Sequence, residues 1–121
     1  MRLFEIATND IKRFASDLET KYNLSSLWLY SLNDNTINLN SIIVKRGERK
    51  QGVGSAVMQE ITDYADGRGL RIALTPNIKD SIIGTTSQGR LIRFYKRFGF
   101  KENKGRNKDF TISAGMIRDP Q

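Results

Sequence analysis

The stretch Ile37 to Met58, INLNSIIVKRGERKQGVGSAVM, constrains the fold of this chain more than any other. It reads as an apolar strand, a short basic turn with two close glycines, and the first turns of a helix starting at about Val53. The turn Arg49-Lys50-Gln51-Gly52-Val53-Gly54 fits the pattern R-x-x-G-x-G. Glycines let a backbone approach a ligand without a Cβ in the way. A helix beginning there aims its unpaired N–H groups and its positive dipole end at the same place. Strand, glycine turn and helix N-terminus together make a phosphate cradle. Two common nucleotide sites do not fit: a dinucleotide turn needs a third glycine where Val57 stands, and a P-loop needs a Lys directly after its last glycine. A plain strand-turn-helix using its glycines only to turn is also consistent with this stretch.

A chain of 121 residues with 38% hydrophobic content forms one domain with a real core, covering residues 1–121. No apolar run approaches the roughly 20 residues a membrane span needs, and MRLFEIATNDIKRF lacks an apolar signal core, so a cytoplasmic protein is expected. Cysteine and histidine are both absent from the sequence. That removes disulfides, thiol nucleophiles, imidazole bases and ordinary zinc sites, and no metal is expected. Chemistry must use tyrosine, carboxylates, hydroxyls, backbone groups or a borrowed co-substrate. The net charge of +7 favours an anionic ligand, an acidic partner or nucleic acid, and a basic solvated surface is the plain alternative.

Taken in order, Met1 to Ala7 reads as a first strand. Ile11, Phe14, Ala15, Leu18 and Tyr22 then follow at helical spacing, with Thr8, Asn9 or Asp10 as cap. Leu24 to Leu32 reads as a strand with Trp28 and Tyr30 on one face and Leu27 and Leu29 on the other. Asn33-Asp34-Asn35 signals a hairpin turn. In the returning strand Ile37 and Leu39 set one alternation, while Ile42 and Val44 sit on the opposite phase, which marks either a β-bulge or burial on both sides. Val53, Ala56, Val57, Ile61, Tyr64 and Ala65 line one helix face that ends near Gly67 and Gly69. Leu70, Ile72 and Leu74 form a short strand stopped by Pro76, and strand-helix-strand of this length implies a parallel crossover. Residues 77–89 read as a long loop. Arg90 to Phe100 is a helix ending at Gly99, and the last segment looks like a hairpin in which Phe110, Ile112, Ala114 and Met116 alternate.

The R-x-x-G-x-G turn after an apolar strand resembles motif A of the GNAT N-acetyltransferase superfamily. Phe94-Tyr95-Lys96-Arg97-Phe98-Gly99-Phe100 resembles motif B, whose helix commonly ends L-Y-x-K-x-G-F, and it follows motif A at the expected distance. The ordered pair is more specific than either motif alone. The resemblance covers Ile37 to Phe100 and implies an α/β (α+β) single-domain GNAT fold: a mixed central sheet with a splayed central strand pair and helices on both faces. It favours the bulge reading of Ile42 to Val44.

It also implies an acetyl-CoA-dependent N-acetyltransferase acting on a primary amine. Pyrophosphate would lie on Gln51, Gly52, Val53, Gly54 and Ser55, with Arg49 and Lys50 offsetting charge. Pantetheine would run beside Ile42, Ile43 and Val44, while Gln88 and Arg90 would contact CoA; many members carry an Asn at the Gln88 position. Tyr95 would be the general acid towards the CoA sulfur; the plain reading of a tyrosine on such a helix is a core residue. The strand lacks the Glu that many relatives carry, offering Asn38, Asn40 and Ser41, so the general base is open; Asp80 and Asp109 are unplaced carboxylates. An acidic or nucleic-acid acceptor and a homodimer are compatible partners, and no membrane is implied. A basic nucleic-acid-binding module and a CoA-binding domain without catalysis are the alternative readings.

Overall fold

The structure, a computed structural model, describes residues 3–44, 52–77, 87–110, 112 and 114–121. Helix α1 runs Leu3–Tyr22, strands β1 and β2 run Leu24–Asn33 and Thr36–Val44, helix α2 Val53–Gly67 and β3 Arg71–Leu74. Helix α3 spans Gln88–Lys96, β4 Lys101–Glu102 and β5 Met116–Arg118, with a 3-10 turn at Gly105–Asn107. Of the strand expected at Met1 to Ala7, the described residues, from Leu3 on, are instead the start of α1. The spacing explains the correction: Leu3, Ala7 and Ile11 continue the four-residue step of the downstream helical stripe. Three apolar residues are too few to establish a two-residue period.

The five strands lie in the order β1-β2-β3-β5-β4. β1 and β2 form the expected antiparallel hairpin, and β2 and β3 run parallel through α2. β5 inserts antiparallel between β3 and β4. The phase change in β2 is a bulge. Trp28 pairs with Ser41 but Leu29 pairs with Leu39, so Asn40 is the extra residue. Burial follows: Ile37, Leu39 and Ile42 are all buried although the last sits on the opposite parity.

Ile37, Leu39, Ile72, Leu74 and Met116 share one cluster with Ile11, Ala15 and Leu18 of α1, Val57, Met58, Ile61 and Ala65 of α2, and Leu91, Phe94 and Tyr95 of α3. The described helices therefore gather on one sheet face rather than dividing between two. The other face is closed over Ala73 and Ile117 by Ile112 and Ala114. α1 and α2 meet through a Phe14–Tyr64 stack with ring centroids 4.1 Å apart. At one end of that seam the Tyr64 hydroxyl donates to Asp10, which also pairs with Arg68 at 3.1 Å. At the other, Tyr22 donates to Glu60, whose carboxylate pairs with Lys21 at 3.0 Å. The Tyr22 bond and the Lys21 charge hold the Glu60 carboxyl below its ordinary range.

The alternation from Phe110 to Met116 does not become a strand over its described residues before Met116. The cause is Asn103. Its side-chain amide donates to the carbonyls of Asp109, Ile112 and Ala114 at 3.2, 3.1 and 3.2 Å, and its carbonyl oxygen accepts from the Asp109 N–H at 2.8 Å. Main-chain carbonyls collected by one side chain are not available to a strand ladder. Phe110 consequently points outward and is 83% exposed.

Buried Arg118 ties the far end of the sheet to the helices. Its guanidinium donates to both carboxylate oxygens of Asp66 at 2.7 and 2.9 Å and to the carbonyl of Phe98. Arg71 spans the Asp109 and Asp119 carboxylates at 3.2 and 2.9 Å.

Candidate active site

β2 and β3 pair from Thr36↔Arg71 to Leu39↔Leu74 and no further. Beyond that rung the bulge at Asn40 bends β2 away, and β3 ends at Leu74. Residues 41–44 keep their β1 partners on one edge, while the edge on the side of β3 has no strand partner among the described residues. The parting opens a slot with a recess at each mouth. On the helical face a narrow recess of about 20 Å³ is lined by Leu39, Asn40, Ile42, Leu74, Thr75, Asn77 and Tyr95. On the opposite face a recess of about 210 Å³ is lined by Tyr30, Asn38, Leu39, Asn40, Thr75 and Ala114. Leu39, Asn40 and Thr75 belong to both.

Tyr95 reaches the slot from α3. Its ring is buried, held edge-on by Phe94 at 5.4 Å and by Phe100 at 5.7 Å between centroids. Among the described residues its hydroxyl has no hydrogen-bond partner, yet no side-chain polar atom is both sealed from solvent and unpaired. The phenolic oxygen therefore meets solvent at the recess. Burial pushes this phenol above its ordinary value of 10.0, so it is protonated at neutral pH.

Gly52 precedes α2 in the left-handed region, φ 69°, where only glycine sits without strain. It offers no side-chain cap, and the first turn holds no acidic residue. The first intrahelical bond runs from the Ala56 N–H to the Gly52 carbonyl at 3.1 Å. The N–H groups of Val53, Gly54 and Ser55 therefore precede every intrahelical acceptor, and no carboxylate of that turn offsets their positive potential.

Arg49, Lys50 and Gln51 lie outside the described residues, as do Asp80 and the side chains of Ser41 and Val44. Ile42 lines the recess beside Tyr95, and Ile43 follows it on the unpaired edge. The side-chain amide of Gln88 donates to the Pro76 carbonyl at 3.1 Å, tying the first turn of α3 to the end of β3. Arg90 is exposed, and its backbone N–H completes the Ser87 cap at 3.3 Å. With Arg93, Lys96 and Arg97 its side chain borders an open depression of about 600 Å³ along α3. Asp109, a candidate base from sequence, is held by Arg71 and lines neither recess. Thr75, Asn77 and Tyr30 are recess residues that sequence reasoning missed; they become visible only once the bulge shows where β2 and β3 separate.

Such an arrangement can accept an extended chain along the open edge of β2, offer it backbone hydrogen bonds, and present a protonated phenol to an atom in the slot. Among the described residues no group of acidic side chains is placed to hold a metal. No helix there is long and apolar enough to cross a membrane.

No curated protein and no solved structure matches the chain. A family model described as an acetyltransferase (GNAT) domain matches residues 20–102, from the last turn of α1 through β4. That match takes in the bulged β2, the Gly52 turn and the Tyr95 helix, and covers well over half of the sequence: the chain belongs to the GNAT acetyltransferase family.

Proposed function

We propose that this protein moves the acetyl group of acetyl-CoA to a primary amine by direct attack within a ternary complex. One observation carries the reading: Tyr95, whose hydroxyl has no partner among the described residues, lines the recess where β2 and β3 part. Acetyl-CoA would enter as substrate, bringing an activated thioester. The N–H groups of Gln51 to Ser55 would take its diphosphate, with Arg49 and Lys50 nearby in sequence and Gln88 and Arg90 at the start of α3. The open edge of β2 at Ile42, Ile43 and Val44 would bind pantetheine as an added strand, and an N–H from that edge would stabilise the oxyanion.

The amine nitrogen bonds to the carbonyl carbon and gives up its extra proton to water, and the tetrahedral adduct collapses with cleavage of the C–S bond. Tyr95 gives its proton to the departing sulfur and regains one from solvent. A phenol is protonated at neutral pH, so the proton is in place when charge develops on the sulfur beside it. With no cysteine in the sequence, no thiol acyl-enzyme intervenes.

The test pairs a thermal shift with turnover. Millimolar acetyl-CoA raises Tm, and Tyr95→Phe slows acetyl transfer about 10²-fold while keeping that shift. Absence of any shift rejects the co-substrate assignment. A shift without transfer to any amine in a broad panel favours a CoA-binding domain that does not catalyse. The basic row Arg90, Arg93, Lys96 and Arg97 on α3 supports a second reading, nucleic-acid binding, whose mark is affinity that collapses with added salt.

A further inference from the structure

The recess opposite Tyr95 is lined by Tyr30, two side-chain amides from Asn38 and Asn40, the hydroxyl residue Thr75, and Leu39 and Ala114. No carboxylate lines it among the described residues, and the whole chain carries +7. These described residues give no counter-charge to a second ammonium, so polyamines and lysine-rich peptides are poorly matched to them. An uncharged lining likewise does nothing to hold the attacking amine in its protonated form.

Beside Tyr30 on the same strand face stands Trp28, 58% exposed, its ring centroid 6.0 Å from that of Tyr30 and tilted by 54°. The two rings form an aromatic shelf leading from open surface to the slot. A large ring left this exposed beside an uncharged recess is suited to a planar apolar group. Resting on the acetyltransferase reading, we propose that the acceptor is a monoamine carried on an aromatic ring, the ring docking on Trp28 and Tyr30 and the amine reaching in past Asn40.

Phenethylamine is the probe, with spermidine and lysine amide as competitors, at saturating acetyl-CoA. The expected kcat/KM for phenethylamine is at least ten-fold above both. Trp28→Ala is expected to raise its KM about ten-fold with kcat and the acetyl-CoA thermal shift unchanged, and Trp28→Phe to restore most of the loss. Because Trp28 is the single tryptophan, its emission also reads the shelf directly: with CoA bound, phenethylamine should change it saturably. Equal or better use of spermidine or lysine amide overturns the proposal. So does an unchanged KM or emission, or a Trp28→Ala variant whose effect is a changed oligomeric state. A missing acetyl-CoA shift instead overturns the acetyltransferase reading beneath it, a result distinct from a normal shift with no preference for the ring.

Discussion

Leu39 and Leu74 form the last rung that β2 and β3 share, and Asn40, one residue later, is the bulge that parts them. Both leucines are buried on the helical side, so the parting point is set by core packing rather than by loop conformation. A slot fixed in this way holds Tyr95 and the edge of β2 in one geometry before any ligand arrives.

Tyr95 and Tyr64 should resist ionisation. Burial raises both above the ordinary phenol value of 10.0, with the Asp10 carboxylate adding to the effect at Tyr64. Below that pH folded and unfolded chains both keep these protons. Above it the unfolded chain loses protons that the folded one retains, so stability falls as pH rises from about 10. Absorbance titration at 295 nm should show these two phenols ionising only with unfolding, and Tyr95→Phe should lessen the alkaline loss. Ionisation of both near pH 10 in folded protein would count against the burial of the site.

Gly52→Ala places a Cβ at φ 69°, which costs about 1 kcal/mol in a left-handed conformation. The added carbon would meet no described atom within 4 Å, so the protein itself has room for it. If the turn holds a diphosphate, the ligand does not. Calorimetry should record a modest fall in Tm together with roughly ten-fold weaker acetyl-CoA binding; an unchanged affinity would move the diphosphate elsewhere.

Asn103→Ala removes one side chain that serves three carbonyls and one N–H. Loss of these bonds should cost about 2 to 3 kcal/mol. It should also loosen residues 108–114, which bring Ala114 to the larger recess. Faster proteolysis in that segment and a raised acceptor KM are expected, with the acetyl-CoA shift retained.

Asp66→Asn breaks the paired bonds to buried Arg118 and leaves its guanidinium without a counter-charge, at a cost of about 3 kcal/mol. Arg118 holds the Asp66 carboxyl below its ordinary 3.8, helped by the Gln121 N–H. The stability it contributes is therefore present above 3.8 and is lost as pH falls through the lower folded value. Urea denaturation between pH 2 and 6 should show an acid-dependent decline in the parent that is shallower in the variant.

The centre of the chain was legible because each signal there was local. Alternation, the turn asparagines and the glycine pair mark β1, β2 and the start of α2 within a few residues of their positions. The reversal of phase between Leu39 and Ile42 left a bulge and two-sided burial both open, and the strand pairing decides for the bulge with Asn40 as the extra residue. Legibility failed where long-range partners decide. Asn103 overrides the alternation after Phe110 by collecting carbonyls as many as eleven residues away; Leu3 to Ala7 differs for a local reason, being too short to tell a strand from the start of α1. Tyr95 was nominated by its spacing to Gly99 and Phe100, but its open hydroxyl and its neighbours Thr75 and Asn77 depend on three separate elements meeting. The gathering of the described helices on one face, likewise, is a property of the strand order.

The two recesses sit back to back, sharing only Leu39, Asn40 and Thr75. Molecules arriving from opposite sides of a sheet need no common doorway, so neither must depart before the other loads. An inhibitor meant to fill both would have to pass Leu39, Asn40 and Thr75, whereas two small fragments, one per side, could be carried together.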